Sequence, residues 1–194
     1  MYSEEDMIKA IIFDCFGVIV ADTTEATYAL LGGDAEKDKQ FLRDIYHKSS
    51  SGLIAAASPF VAEKLGVPIE VWEEELKKGR TINEELLEYI KTLRATYKVG
   101  MLSNVSSLGL KRFITHERLA EYFEVVVESH AIGYAKPEPE AYEIAASCLG
   151  VRLDECVFTD DRIEYIEGAQ SVGMKTILFE NTEDFKAKLE RLLA

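Results

Sequence analysis

The stretch IKAIIFDCFGVIV, residues 8–20, decides how the rest of the chain is interpreted. Its first six residues are mostly β-branched or aromatic, which predicts a buried strand. The apolar run stops at Asp14, and Gly17 lets the backbone turn three residues later. Open α/β sheets place their functional groups at such strand ends. An aspartate that only caps a turn is the alternative for Asp14 taken alone.

The composition describes an ordinary globular protein. With 194 residues, 47% of them hydrophobic, the chain is long enough for one compact domain with a small insertion. The net charge of −13 argues against nucleic-acid and anionic-membrane partners. Cys15, Cys148 and Cys156 are scattered like reduced core residues. We find no signal-peptide pattern, so we expect a cytoplasmic protein. We expect it to be a monomer or a homodimer.

The segment 21–80 carries helical patterns and no convincing strand. We predict short helices at 23–31, 35–48, 58–65 and 68–78, from helical spacing of apolar residues and from Pro59 after an N-capping serine. Inserted after the first strand, this block would lie over its carboxyl end as a lid. Its basic residues could contact a ligand, although charged residues on amphipathic helices usually lie on solvated faces; they are Arg43, Lys48, Lys64 and Arg80.

Beyond residue 80 the patterns alternate between helix and strand. The sequence TINE at 81–84 predicts a capping box. Strands are predicted at 97–102, 124–127, 156–158 and 175–179, and helices at 108–115, 137–149, 163–172 and 182–193. Apolar strands that alternate with helices indicate an α/β fold, a mainly parallel five-stranded sheet covered on both faces.

Polar groups follow several of these strands. Asp14, Ser103-Asn104 and Asp160-Asp161 each come directly after a strand, and Lys136 lies in the loop after another. Because carboxyl ends of parallel strands share one edge, these groups should converge. Each has a simpler interpretation alone: a turn or N-cap for Ser103-Asn104, a helix cap for Asp160-Asp161, a solvated surface residue for Lys136.

The converging set is chemically coherent. Three carboxylates suit a hard divalent cation, and we expect Mg²⁺. A lysine, a hydroxyl and helix-start N–H groups suit an anionic phosphoryl group. A carboxylate can also act as a covalent nucleophile. The residues therefore point to phosphoryl transfer with a small phosphorylated molecule as partner.

These motifs resemble the haloacid dehalogenase superfamily of phosphohydrolases. FDCFGVIV resembles its nucleophile loop and LSNVSS its second motif; GYAKPEPEAYEIAASCLGV resembles its lysine motif and VFTDDRIEYIEGAQSVGMKTI its metal motif. The resemblance implies a Rossmann-like three-layer sandwich. It assigns residues 1–20 and 81–194 to the core and 21–80 to an all-α cap.

The resemblance also implies roles for particular residues. Asp14 would be the nucleophile that forms an aspartyl-phosphate, and Lys136 would stabilise the charge on it and on the phosphoryl group. Ser103-Asn104 would bind phosphoryl oxygens. Asp161, with Asp160 adjacent, would bind Mg²⁺ together with Asp14 and the backbone carbonyl of Phe16, and Glu164 would support this shell.

One departure from the family pattern concerns Phe16. Typical phosphatases of the family have there a second aspartate, which protonates the leaving group, and a benzene ring transfers no proton. Such help is worth about 10²–10⁴-fold. His130, in the loop that leads to Lys136, is the nearest candidate for a replacement acid.

Three interpretations stay open. The first is a Mg²⁺-dependent phosphatase of small phosphate esters. The second is a non-catalytic relative that binds a phosphorylated ligand or partner. The third is a 2-haloacid dehalogenase-like hydrolase, whose members carry an aromatic residue where Phe16 stands. Those are metal-independent and normally lack the acidic pair, so Asp160-Asp161 favours the phosphatase.

Overall fold

The computed structural model describes residues 7–107, 110 and 113–193. Five parallel strands form one sheet in the order β3-β2-β1-β4-β5. The strands are β1 (Ala10–Phe13), β2 (Lys98–Ser103), β3 (Val125–Glu128), β4 (Cys156–Asp160) and β5 (Lys175–Leu178). The predicted parallel α/β sheet is confirmed, with the first strand at its centre.

Ten helices accompany the sheet in the described part of the chain. They are α1 (Thr24–Leu30), α2 (Lys39–Ser50), α3 (Ser58–Leu65), α4 (Ile69–Gly79), α5 (Glu84–Leu93), α6 (His116–Ala120), α7 (Ser129–Ile132), α8 (Pro139–Leu149), α9 (Ile163–Ser171) and α10 (Thr182–Leu193). The sequence patterns did not predict α6 and α7, which are too short to show helical periodicity.

The central strand is buried on both faces, as its apolar sequence predicts. Ile11 and Phe13 pack with residues of α5 and α10, whereas Ala10 and Ile12 pack with residues of α8 and α9. Alternate residues of a strand point to opposite faces, so a run of apolar residues needs a layer on each side. The result is a three-layer sandwich.

Helices α1–α4 form a separate hydrophobic cluster of their own. Trp72 is completely buried and meets Tyr28 edge to face, with ring centroids 6.5 Å apart. The two connections to the core pair with each other, since Val20 bridges Ile82 and the amide of Ala21 donates to the carbonyl of Thr81 at 2.9 Å. This pairing fixes where helix α4 ends relative to β1.

Three local predictions are corrected. The N-cap of α5 is Asn83, whose side chain accepts a hydrogen bond from the amide of Leu86; Thr81 belongs to the paired connection instead. The predicted helix 108–115 lies partly on residues outside the described ranges, and 113–115 are not helical. Strand β4 continues through Asp160, so only Asp161 follows it.

Among the described residues, no helix combines the length and the apolar character needed to cross a bilayer.

Candidate active site

A cavity of about 820 Å³ lies where the carboxyl ends of the strands face α1–α4. Its size is in the range of small-molecule sites. Residues from both parts of the chain line it, among them Asp14, Phe16, Asn104, Lys136 and Asp161 from the sheet side and Thr24, Arg43, Tyr46 and Arg80 from the helical side. The predicted convergence at this edge is therefore present for most of the polar set.

Lys136 is the centre of the site. Its side chain is fully buried, and its Nζ donates to Asp14 Oδ1 and to Asp160 Oδ2, both at 2.6 Å. A buried ammonium is tolerated when carboxylates neutralise it. The interpretation of Lys136 as a solvated surface lysine is therefore wrong.

The ionisation of this group is set by burial and by mutual charge. Burial raises the pKa of Asp14 to about 8; Lys136 opposes that shift and Asp160 adds to it. Burial and the charge of Asp160 raise the pKa of Asp161 to about 6. Burial lowers the pKa of Lys136, but the two carboxylates raise it more, so the lysine stays charged.

The three aspartates form a cluster that suits a metal ion. Each of Asp14, Asp160 and Asp161 offers an oxygen, and these oxygens lie within 4.8 Å of one another. Gly17 makes room for this, because a Cβ on it would lie 2.2 Å from the Asp161 carboxylate. When all three are ionised, three carboxylates face one ammonium, and the cluster has surplus negative charge. Oxygen donors with surplus negative charge fit a hard divalent cation such as Mg²⁺.

Asn104 holds the lysine loop in place. Its Oδ1 accepts from the amide of Lys136 and its Nδ2 donates to the carbonyl of Lys136, both at 2.8 Å. Ser103 is fully buried at the end of β2, its hydroxyl has no hydrogen-bond partner among the described residues, and it is not among the residues that line the cavity. The phosphoryl-binding role of Ser103-Asn104 stays a prediction.

Two further candidates from the sequence lie in other settings. Glu164 lines the cavity but pairs with Arg162 and, at 3.8 Å, with Arg43. His130 is not among the cavity-lining residues, and its Nδ1 lies 3.7 Å from Glu128. The structure gives His130 no position from which to act on a ligand in this cavity.

The sequence analysis missed an aromatic wall of the cavity. Phe16 lines it and meets Phe113 edge to face, with centroids 5.9 Å apart. Arg80, expected on a solvated face, lies against both rings. No local pattern marks Phe113 or Arg80, because the residues that meet here are far apart in sequence.

The fold and the site together define the class of this protein. It is an α/β enzyme with a parallel sheet, an aspartate–lysine cluster at the carboxyl edge of that sheet, and inserted helices above the cluster. A family model described as haloacid dehalogenase-like hydrolase matches residues 8–173. The chain belongs to this family of hydrolases.

Relatives and solved structures are consistent with this assignment. "Phosphatase MT3486" of Mycobacterium tuberculosis is 39% identical over 90 residues, which cover 46% of this chain and 42% of that protein. The alignment thus spans less than half of that relative. "Putative phosphatase YhcW" of Bacillus subtilis is 28% identical over 207 residues, 96% of this chain and 93% of that protein.

The structural likeness concerns the fold. A HAD family enzyme of Bacteroides thetaiotaomicron, bt-2542, solved as a complex with magnesium and inorganic phosphate, superposes with a TM-score of 0.73. The two chains are 24% identical, and the match covers 93% of this chain and 98% of the other.

Proposed function

We propose that this protein is a Mg²⁺-dependent phosphatase of small phosphate esters that works through an aspartyl-phosphate on Asp14. The observation that carries the proposal is the buried Lys136 ammonium between Asp14 and Asp160 at the base of the cavity. Support also comes from relatives named as phosphatases and from a related fold crystallised with magnesium and phosphate.

The proposed first step is attack by a carboxylate oxygen of Asp14 on the phosphorus of the ester. The phosphorus–oxygen bond to the leaving group breaks, and the departing oxygen takes a proton from water. Water then attacks the phosphorus of the aspartyl-phosphate, which releases inorganic phosphate and restores the Asp14 carboxylate. Lys136 stabilises the ionised carboxylate and the charge on the phosphoryl oxygens throughout.

Asp14, Asp160, Asp161 and the backbone carbonyl of Phe16 are the groups proposed to hold Mg²⁺. When bound, the ion neutralises phosphoryl and carboxylate charge and favours the ionised form of Asp14, whose pKa burial otherwise raises. The side chain of Phe16 supplies no proton, so esters with good leaving groups should react best.

The direct test is hydrolysis of p-nitrophenyl phosphate with Mg²⁺ and after its removal by a chelator. We expect turnover that depends on Mg²⁺. Mg²⁺ at about a hundred times its Kd should also raise Tm by about 5–10 °C, since it relieves repulsion among the aspartates. If Mg²⁺ changes neither hydrolysis nor Tm, the site is not a metal-dependent phosphatase.

A matched pair of glycine variants tests how Asp161 is placed. Gly17 and Gly173 have nearly the same positive φ, 93° and 94°. An added Cβ meets the Asp161 carboxylate at Gly17 but nothing within 4 Å at Gly173. Both alanine variants should lose ~1–2 kcal/mol of stability, because alanine disfavours positive φ.

Only Gly17→Ala should also impair the site. We expect its hydrolysis rate to fall on the order of 10²-fold, with loss of the Mg²⁺-induced rise in Tm, since Asp161 must move. Gly173→Ala should keep both properties. Equal rates in the two variants would show that the position of Asp161 does not matter for turnover.

A further inference from the structure

Arg80 occupies an unusual position in the cavity wall. Its guanidinium carbon lies 4.5 Å from the ring centroid of Phe16 and 4.4 Å from that of Phe113. The two rings are perpendicular to each other. Arg80 directly follows α4 and precedes the paired connection at Thr81, so the backbone fixes its origin between cap and core. Phe16 thus serves as a support for a cation.

Arg80 differs from the other cations that line the cavity. Lys39, Arg43, Lys136 and Arg162 each lie within ion-pair distance of a carboxylate. Arg80 has no such partner among the described residues. The carboxylate of Asp22, which also lines the cavity, attracts Arg80 without lying within ion-pair distance of it. In a chain with a net charge of −13, a cavity arginine without a direct ion-pair partner indicates a place for an external anion.

The hydrogen-bonding capacity of Arg80 is largely unused. One terminal nitrogen donates to the Thr24 hydroxyl at 3.4 Å, a long contact. The Nε is buried without a partner in the described part of the chain. Aromatic rings attract the cationic charge, but they do not replace oxygen acceptors for its five N–H donors. Burial lowers the pKa of Arg80, and the charge of Asp22 opposes this shift only in part, so the cation is incompletely compensated.

We infer that Arg80 is a specificity-determining residue that binds a second anionic group of the substrate, separate from the phosphoryl group transferred to Asp14. This inference rests on the proposed phosphatase function and narrows its substrate class. The planar fork of a guanidinium matches the oxygens of a carboxylate or of a second phosphate. The preferred substrates are therefore phosphate esters whose leaving group carries such an oxyanion.

Three aryl phosphates that differ only in the meta substituent test this inference. 3-Carboxyphenyl and 3-phosphonophenyl phosphate carry a second anion, whereas 3-carbamoylphenyl phosphate is a neutral counterpart of the carboxylate. We expect kcat/KM to favour a charged ester over the neutral one by about ten- to a hundredfold. Comparison of the two charged esters identifies carboxylate or phosphate as the preferred group.

Arg80→Gln should remove this preference, so that the charged and neutral esters react with similar kcat/KM. Arg80→Lys should keep part of it, because lysine keeps the charge but loses the planar fork. Lys78→Gln is the matched control: Lys78 pairs with Glu74 and Glu75 on α4 and is not among the cavity-lining residues. It should preserve both the rates and the preference.

A binding measurement separates failure of this inference from failure of the proposed function. Calorimetric titration with 3-carboxyphenylphosphonate, 3-phosphonophenylphosphonate and 3-carbamoylphenylphosphonate needs no turnover. If no ester is hydrolysed but a charged phosphonate binds more tightly in an Arg80-dependent manner, the anion site stands and the phosphatase proposal fails. The inference is overturned if Arg80→Gln changes the affinities for the charged and neutral probes by the same factor. It is also overturned if the wild-type protein binds the charged and neutral probes equally tightly.

Discussion

The Asp14→Asn variant is expected to lose Mg²⁺-dependent hydrolysis of p-nitrophenyl phosphate by at least ~10³-fold. An amide at this position cannot attack phosphorus, and no other carboxylate is placed to form the same covalent intermediate without rearrangement. The fold should survive. Burial already disfavours the charge of Asp14, which is why its pKa is raised to about 8, so a neutral isostere removes an unfavourable ionisation.

Acid quenching followed by mass spectrometry checks the covalent step directly. The wild-type protein should gain the mass of one phosphoryl group on the peptide that contains Asp14, and the variant should not. Asp154→Asn is the matched control, since Asp154 lies just before β4, at the other end of the strand from Asp160. Retained turnover in Asp14→Asn would refute a mechanism through Asp14.

The Lys136→Met variant is expected to lose both activity and stability. Methionine fills similar space but leaves Asp14 and Asp160 buried together without a cation. Removal of one partner from a buried ionic group costs about 3–5 kcal/mol. For a domain of this size that is a fall in Tm of about 6–20 °C, measurable by calorimetry.

The loss of stability in Lys136→Met should depend on pH in a defined direction. Asp14 has a folded-state pKa raised from 3.8 to about 8, so its ionisation weakens the folded state progressively as pH rises across that window. Without Lys136, ionisation of Asp14 should destabilise the folded state more strongly. The Tm deficit of the variant should therefore shrink as pH falls from about 8 toward about 4. A pH-independent deficit would mean that lost packing, rather than charge, explains it.

A second substitution separates the role of Lys136 in hydrolysis from its role in stability. Lys136→Met combined with Asp160→Asn removes one of the stranded carboxylates, so much of the stability should return. Hydrolysis should stay low, because no ammonium remains beside Asp14 and one of the proposed Mg²⁺ ligands is lost. If the double variant regains turnover, Lys136 acts only by holding the site together.

The stretch around residues 8–20 predicted the sheet correctly because its signal is local. A run of apolar residues needs cover on both faces whatever surrounds it, and alternation with helices makes the sheet parallel. The convergence of Asp14, Asp160 and Asp161 followed from the same rule, since parallel strands end on one edge. These features depend on spacing along the chain, which the sequence displays.

Local patterns failed where a distant segment competed for the same residue. Thr81 has the sequence context of a helix cap, yet its carbonyl accepts a hydrogen bond from the amide of Ala21. Helix α5 therefore begins only at Glu84. Backbone pairing between the two connections is a contact across 60 positions of sequence. A capping pattern carries no information about it.

The sequence by itself determined the sheet, the position of Asp14 and Gly17 after its first strand, and the acidic cluster. Only the tertiary structure decided which charges are buried and what they face. Lys136 lies 122 positions from Asp14, and Arg80 meets Phe16 and Phe113 from different segments. A lysine or arginine has the same local pattern whether it is solvated or enclosed. The cost of enclosing it depends on partners that folding alone brings within reach.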